Sequence, residues 1–147
     1  MARKKVTVET NNTAMGLIKN YPITEDMVRE FHVAFGHPAP TKPTMLDKDT
    51  GDLRMALVSE EAIEAKTAKS ITDLLKELCD LQYVVDGWFV SAGLDKYKAE
   101  AMMLVHKSNM SKLGEDGKPI YREDGKVLKG PNYKPVTTEQ LKAVLDG

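Results

Sequence analysis

One cysteine, Cys79, is all the thiol chemistry this chain of 147 residues has. It excludes an internal disulfide framework and fits a reducing, cytoplasmic setting. Long apolar runs are missing too. The longest are a few residues, far short of the roughly 20 that span a bilayer, so a membrane is not an expected partner. Nor is there an excess of either charge: Lys+Arg is 21 and Asp+Glu is 22. Such a balance argues against a general nucleic-acid binder, whose affinity comes largely from neutralising phosphates. The basic start Ala2-Arg3-Lys4-Lys5 is not followed by an apolar stretch, so it does not read as a secretory leader. No repeat or low-complexity tract is present. What remains is ordinary for one soluble globular domain: 41% hydrophobic and 29% charged residues.

Residues 1–23 are weakly patterned and read as an N-terminal arm, with Val6-Thr7-Val8 as a short extended piece. Residues 24–147 read as a single all-α domain. Thr24 is the expected cap of a first helix carrying Met27, Val28, Phe31 and Phe35, which Gly36 and Pro38 terminate. Pro38, Pro40, Pro43 and Gly51 mark residues 37–52 as a loop. A second helix is expected over 53–69 with Leu53, Ala56, Leu57 and Ile63 as its apolar stripe. A third is expected over 71–92, capped by Ser70 or Thr72. Its stripe runs from Ile71 and Leu74 through Leu81 and Val85 to Phe89 and Ala92. A fourth opens at Leu94-Asp95 and reaches about Lys112. Glycines and prolines then crowd residues 114–135. There Pro119–Arg122 and Lys126–Lys129 can pair as a small hairpin around Glu123-Asp124-Gly125. Thr137 or Thr138 caps a short last helix ending near Asp146. The expected architecture is a four-helix-bundle core followed by a basic, glycine-punctuated loop or small hairpin and a short last helix.

The acids of the second and third helices are the informative residues. At about 100° per residue, with Leu53 at zero, Glu60 falls near ~340° and Glu64 near ~20°. Both therefore lie within the expected apolar stripe, and Glu61 lies at its edge. Glu77 and Asp80 share one side of the third helix, beside its stripe. If the two helices pack antiparallel, these acids can sit at a similar height. Unpaired buried carboxylates are costly, so protons, basic side chains or metal ions must compensate. Hard divalent cations favour such an oxygen-rich set. A di-iron site of the Glu-x-x-His type is disfavoured, because His32, His37 and His106 miss that spacing.

Glu60-Glu61-Ala62-Ile63-Glu64, then twelve residues, then Glu77-Leu78-Cys79-Asp80, resembles the EExxE…ExxD signature of the MazG-like all-α nucleoside triphosphate pyrophosphohydrolases. That superfamily includes dimeric dUTPases and phosphoribosyl-ATP pyrophosphohydrolase. The segments Phe31–Pro38, Ser108–Lys112 and Asp116–Tyr133 resemble its short bacterial and phage members. The resemblance implies a four-helix core assembled as a dimer or dimer of dimers. It implies Mg²⁺ or Mn²⁺, two or more ions per site, and hydrolysis of a nucleoside triphosphate to monophosphate and pyrophosphate. dGTP and dUTP are the candidate substrates. Glu61, Glu64, Glu77 and Asp80 fall on metal-ligand positions, and Glu60 on an extra acid that holds another ion or orients water. The resemblance makes Glu60 and Glu61 the expected catalytic pair. Asn109 and Lys112 match positions near the substrate; Lys107, Arg122, Lys126, Lys129, Tyr133 and His32 complete the expected substrate contacts.

The competing class is a non-catalytic helical oligomer that senses nucleotide or metal; the joint presence of four metal-position acids favours catalysis. Trp88 and Phe89 read as core or subunit-interface residues rather than base-stacking platforms. Tyr83 and Val84 extend the apolar surface of the third helix beyond one stripe, which suggests contacts on two sides. Cys79 reads as a buried, inert thiol, since no base is spaced to activate it.

Overall fold

The computed structural model describes residues 23–147, so the extended piece expected at Val6-Thr7-Val8 lies outside the described residues. Five α-helices follow one another: α1 (Thr24–Phe35), α2 (Lys48–Thr67), α3 (Ile71–Ser91), α4 (Lys98–Met110) and α5 (Thr138–Asp146). A 3₁₀ turn, Asp95–Tyr97, sits before α4. The all-α reading holds.

Several boundaries differ from the sequence expectation for local reasons. Thr24 is the first helical residue rather than the cap, and its hydroxyl donates to Glu25 Oε2. α2 begins more than a turn before Leu53, because the Asp47 side chain accepts from the Thr50 amide and caps it there. Lys48 and Asp52 then pair across the first turn. α3 is capped by Ser70, whose hydroxyl accepts from the Asp73 amide. A 3₁₀ turn replaces the expected start of α4. Thr137 and Gln140 form a reciprocal capping box at α5. Segment 119–129 folds back through one antiparallel bridge, Tyr121–Val127.

Only Ala68–Ser70 separate α2 from α3, so the two pack as an antiparallel pair, and α1 lies against α3. Gly87 makes the three-helix junction. A Cβ there would meet Arg54 Nη1 at 2.7 Å and His32 Nε2 at 3.1 Å. A second close approach occurs at Gly93, where φ is +64° and a Cβ would stand 2.3 Å from the Lys42 carbonyl oxygen. This seats the 36–47 loop on the end of α3; the Thr44 amide donates to the Ala92 carbonyl beside it. α4 turns away and packs mainly against α5 and the 3₁₀ turn.

The buried layer of this fold is largely polar. Val28, Val90 and Val144 are its buried apolar residues among those described, beside Glu25, His32, Arg54, Glu77, Asp86 and Ser91. Lys98 Nζ reaches Asp86 Oδ1 at 2.6 Å and Glu25 Oε1 at 2.8 Å, tying the start of α4 to α3 and α1. Arg29 forks onto Asp95 with two bonds of 2.7 Å and donates to the carbonyls of Ala39 and Pro40. The expected stripe on α2 is not its inner face. Leu53, Ala56 and Ile63 are exposed, while Arg54 is buried and Leu57, Val58, Glu61 and Ala65 are half-buried. Apolar residues surround α2 on several sides, so periodicity alone does not single out the packed face. On α3, Ile71, Leu75 and Leu78 are likewise exposed, and on α4 so are Met102, Met103 and Met110.

Candidate metal centre

The antiparallel register of α2 and α3 sets the acids against one another. Arg54 lies opposite Gly87, Glu61 meets Asp80, and Glu64 meets Glu77. Glu61, Glu77 and Asp80 each bring one carboxylate oxygen within 4.8 Å of the others. Glu77 is buried, and Glu61 Oε2 is closed to solvent with no hydrogen-bond partner. Burial, followed by the charges of Glu64, Asp80, Glu60 and Glu77, pushes the Glu61 carboxyl above its ordinary range. Glu64 is pushed up as well, first by a hydrogen bond shared with Glu77, then by burial and the charges of Glu77 and Glu60; Lys76 opposes this. The Lys76 ammonium lies 2.8 Å from Asp80 Oδ2 and 3.1 Å from Glu77 Oε1, and those bonds hold its pKa above the ordinary lysine value.

This donor set fits a hard divalent cation. Three converging carboxylates supply hard oxygen ligands, and one oxygen, shut away from water, lacks the partner it needs. The inward acid of α2 is Glu61. Glu60 and Glu64 are exposed rather than central to a buried stripe, with Glu64 held at the layer through Glu77 and Glu60 close enough for its charge to be felt.

The expected substrate contacts lie elsewhere. Lys107 and Asn109 sit in the last turn of α4 and Lys112 just beyond it; α4 packs chiefly on α5 rather than on the α2–α3 pair. Lys107 lines a cavity of about 540 Å³ with Ser108, Asn132, Lys134 and Gln140. Arg122 pairs within its own turn with Asp124, at 2.5 and 2.9 Å. Lys126 is exposed, and Lys129 stands 4.9 Å over the ring of Tyr133. His32 is not an open substrate contact. It is buried, and its Nδ1 faces the Pro38 carbonyl at 2.9 Å, so Nδ1 donates and Nε2 is left to accept from Arg54 Nη1 at 3.4 Å. Burial is the main reason its pKa falls, which favours this neutral form. Cys79 is exposed, not buried. Sequence reasoning missed Lys76; its signal was the i, i+4 spacing to Asp80, which places both on one helix face. It also missed Arg54, because a lone arginine within a helix ordinarily reads as surface.

The family model for phosphoribosyl-ATP pyrophosphohydrolase matches residues 28–109, more than half of the chain and all five acids. Among solved structures, a candidate NTP pyrophosphohydrolase from Exiguobacterium sp. 255-15 aligns over 85% of this chain and 95% of that one. The identity is 28% and the TM-score 0.40. No match is found among curated proteins.

Proposed function

Since the chain belongs to the phosphoribosyl-ATP pyrophosphohydrolase family, we propose that it is a metal-dependent nucleoside triphosphate pyrophosphohydrolase. It cleaves the bond between the α- and β-phosphates and releases monophosphate and pyrophosphate. The observation that carries this reading is the convergence of Glu61, Glu77 and Asp80, with an unpartnered, solvent-shielded oxygen on Glu61. Glu61, Glu64, Glu77 and Asp80 are the proposed ligands for Mg²⁺ or Mn²⁺, with two or more ions. Bound there, divalent ions supply the positive charge that lets a polyanion approach an acidic layer and that activates a water toward the α-phosphorus. Glu60 and Glu61 are assigned to orient that water and accept its proton.

Residues 24–147 form the proposed catalytic unit, and its proposed substrates are deoxynucleoside triphosphates, dGTP and dUTP first. Assembly as a dimer or dimer of dimers is favoured by the exposed apolar residues of α3. A groove of about 890 Å³, lined by Met45, Val85, Trp88, Phe89 and Leu145, favours it too. Lys107, Asn109, Lys112, Lys126 and Lys129 remain the proposed polyphosphate contacts, brought to the acids by assembly. No described helix is long and apolar enough to cross a membrane, and work on a nucleotide pool fits the cytoplasm.

The test is a panel of common NTPs and dNTPs with Mg²⁺ or Mn²⁺, resolving nucleotide product and pyrophosphate together. Pyrophosphate release that vanishes in Asp80→Ala supports the reading. Metal or nucleotide binding without turnover over the whole panel replaces it with the sensor reading.

A further inference from the structure

Two cations of α3 and α4 serve carboxylates in opposite ways. Lys98 is fixed: its side chain is 16% exposed and lies between Glu25 and the fully buried Asp86. Lys76 is 64% exposed and is held by carboxylates alone. Its ammonium donates to Asp80 Oδ2 at 2.8 Å and to both oxygens of Glu77, at 3.1 and 3.4 Å. Those acids are two of the three converging donors. With both Glu77 oxygens facing the ammonium, no cation can take Glu77 without sharing or expelling Lys76.

We infer that Lys76 is a tethered counter-cation, a positioning residue that holds Glu77 and Asp80 together in the metal-free chain and competes with the divalent ion for them. The inference rests on the metal-centre reading above. Five carboxylates, Glu60, Glu61, Glu64, Glu77 and Asp80, surround this layer. A single ammonium on a flexible stem lowers their mutual repulsion without locking the site. An ion pair with so exposed a lysine is individually weak, so a doubly charged ion displaces it. Because ammonium and metal bind the same oxygens, each lowers the affinity of the other. Lys76 therefore stabilises the metal-free chain and sets the metal concentration at which the site fills.

The test uses the full chain, Mn²⁺ alone and no nucleotide. Free Mn²⁺ is followed by electron paramagnetic resonance, and melting is recorded in EDTA. Lys76→Met should bind Mn²⁺ about three- to tenfold more tightly. It should melt at a lower temperature in EDTA, and Lys76→Arg should restore wild-type behaviour in both. Lys66→Met, the same charge change on the exposed side of α2, should alter Mn²⁺ affinity less than twofold. Unchanged or weaker binding by Lys76→Met overturns the inference, as does equal tightening by Lys66→Met. If Asp80→Asn abolishes binding while Lys76→Met leaves it unchanged, Lys76 loses its role and the metal centre stands. If the wild type binds no Mn²⁺ at millimolar concentration, the metal centre falls and the role of Lys76 with it.

Discussion

Glu61→Gln should stabilise the metal-free protein while destroying its activity. Glu61 faces Asp80 and Glu77 with oxygens within 4.8 Å, and one of its own oxygens is sealed from water without a partner. At that separation two like charges repel by about 0.9 kcal/mol in water and about 3.5 kcal/mol at an effective dielectric constant of 20. The layer is half-buried, and Lys76 offsets part of the repulsion, so removing one charge should gain about 1–2 kcal/mol. For a domain of this length that raises the melting temperature by about 3–8 °C. Differential scanning calorimetry in EDTA at fixed protein concentration reads this directly. The gain should shrink in 1 M NaCl, where the screening length drops to about 3 Å. Pyrophosphate release with Mg²⁺ should fall at least about a hundredfold, because a proposed ligand and catalytic acid is gone. An acid held only for the fold would lose stability on substitution. A lower melting temperature in EDTA, or wild-type turnover, refutes the reasoning.

Three further outcomes follow from the packing. Lys98→Met leaves the buried Asp86 carboxylate without its cation and should cost about 3–5 kcal/mol in urea unfolding; adding Asp86→Asn should recover much of that loss. Burial by itself raises the Asp95 carboxyl, but the Arg29 fork outweighs it and holds the pKa below the ordinary value. The stability it contributes is thus complete above the unfolded carboxyl range near pH ~4 and is lost as pH falls through the lower folded value. Arg29→Leu should move the acid-unfolding midpoint, followed by circular dichroism, to higher pH. Gly93→Ala forces a Cβ against the Lys42 carbonyl at positive φ and should lower stability by about 1–3 kcal/mol, read as a drop in melting temperature.

Local signals in the chain were legible at several helix ends, though not at the Asp47 cap of α2 or at Thr24 in α1. Ser70 before α3, Thr137 before α5 and the Gly36 stop of α1 are capping chemistry, settled within one turn. The three-residue link after Thr67 leaves α2 and α3 little choice but to lie antiparallel, the arrangement on which the expected approach of Glu61 and Glu64 to Glu77 and Asp80 depended. Which acid turns inward was decided by tertiary packing. Periodicity sorts residues into faces, but the rotation of a helix against its neighbours depends on what those neighbours bury. Here they bury Arg54 and His32 beneath Gly87, turning Glu61 inward and leaving Leu53 and Ile63 outside. Partnerships across long separations, such as Lys98 with Glu25 and Asp86 or Arg29 with Asp95, have no local trace. A cation and an acid far apart in the chain reveal their pairing only when the fold brings them together. The packing of α4 against α5 rather than against the α2–α3 pair belongs to the same class.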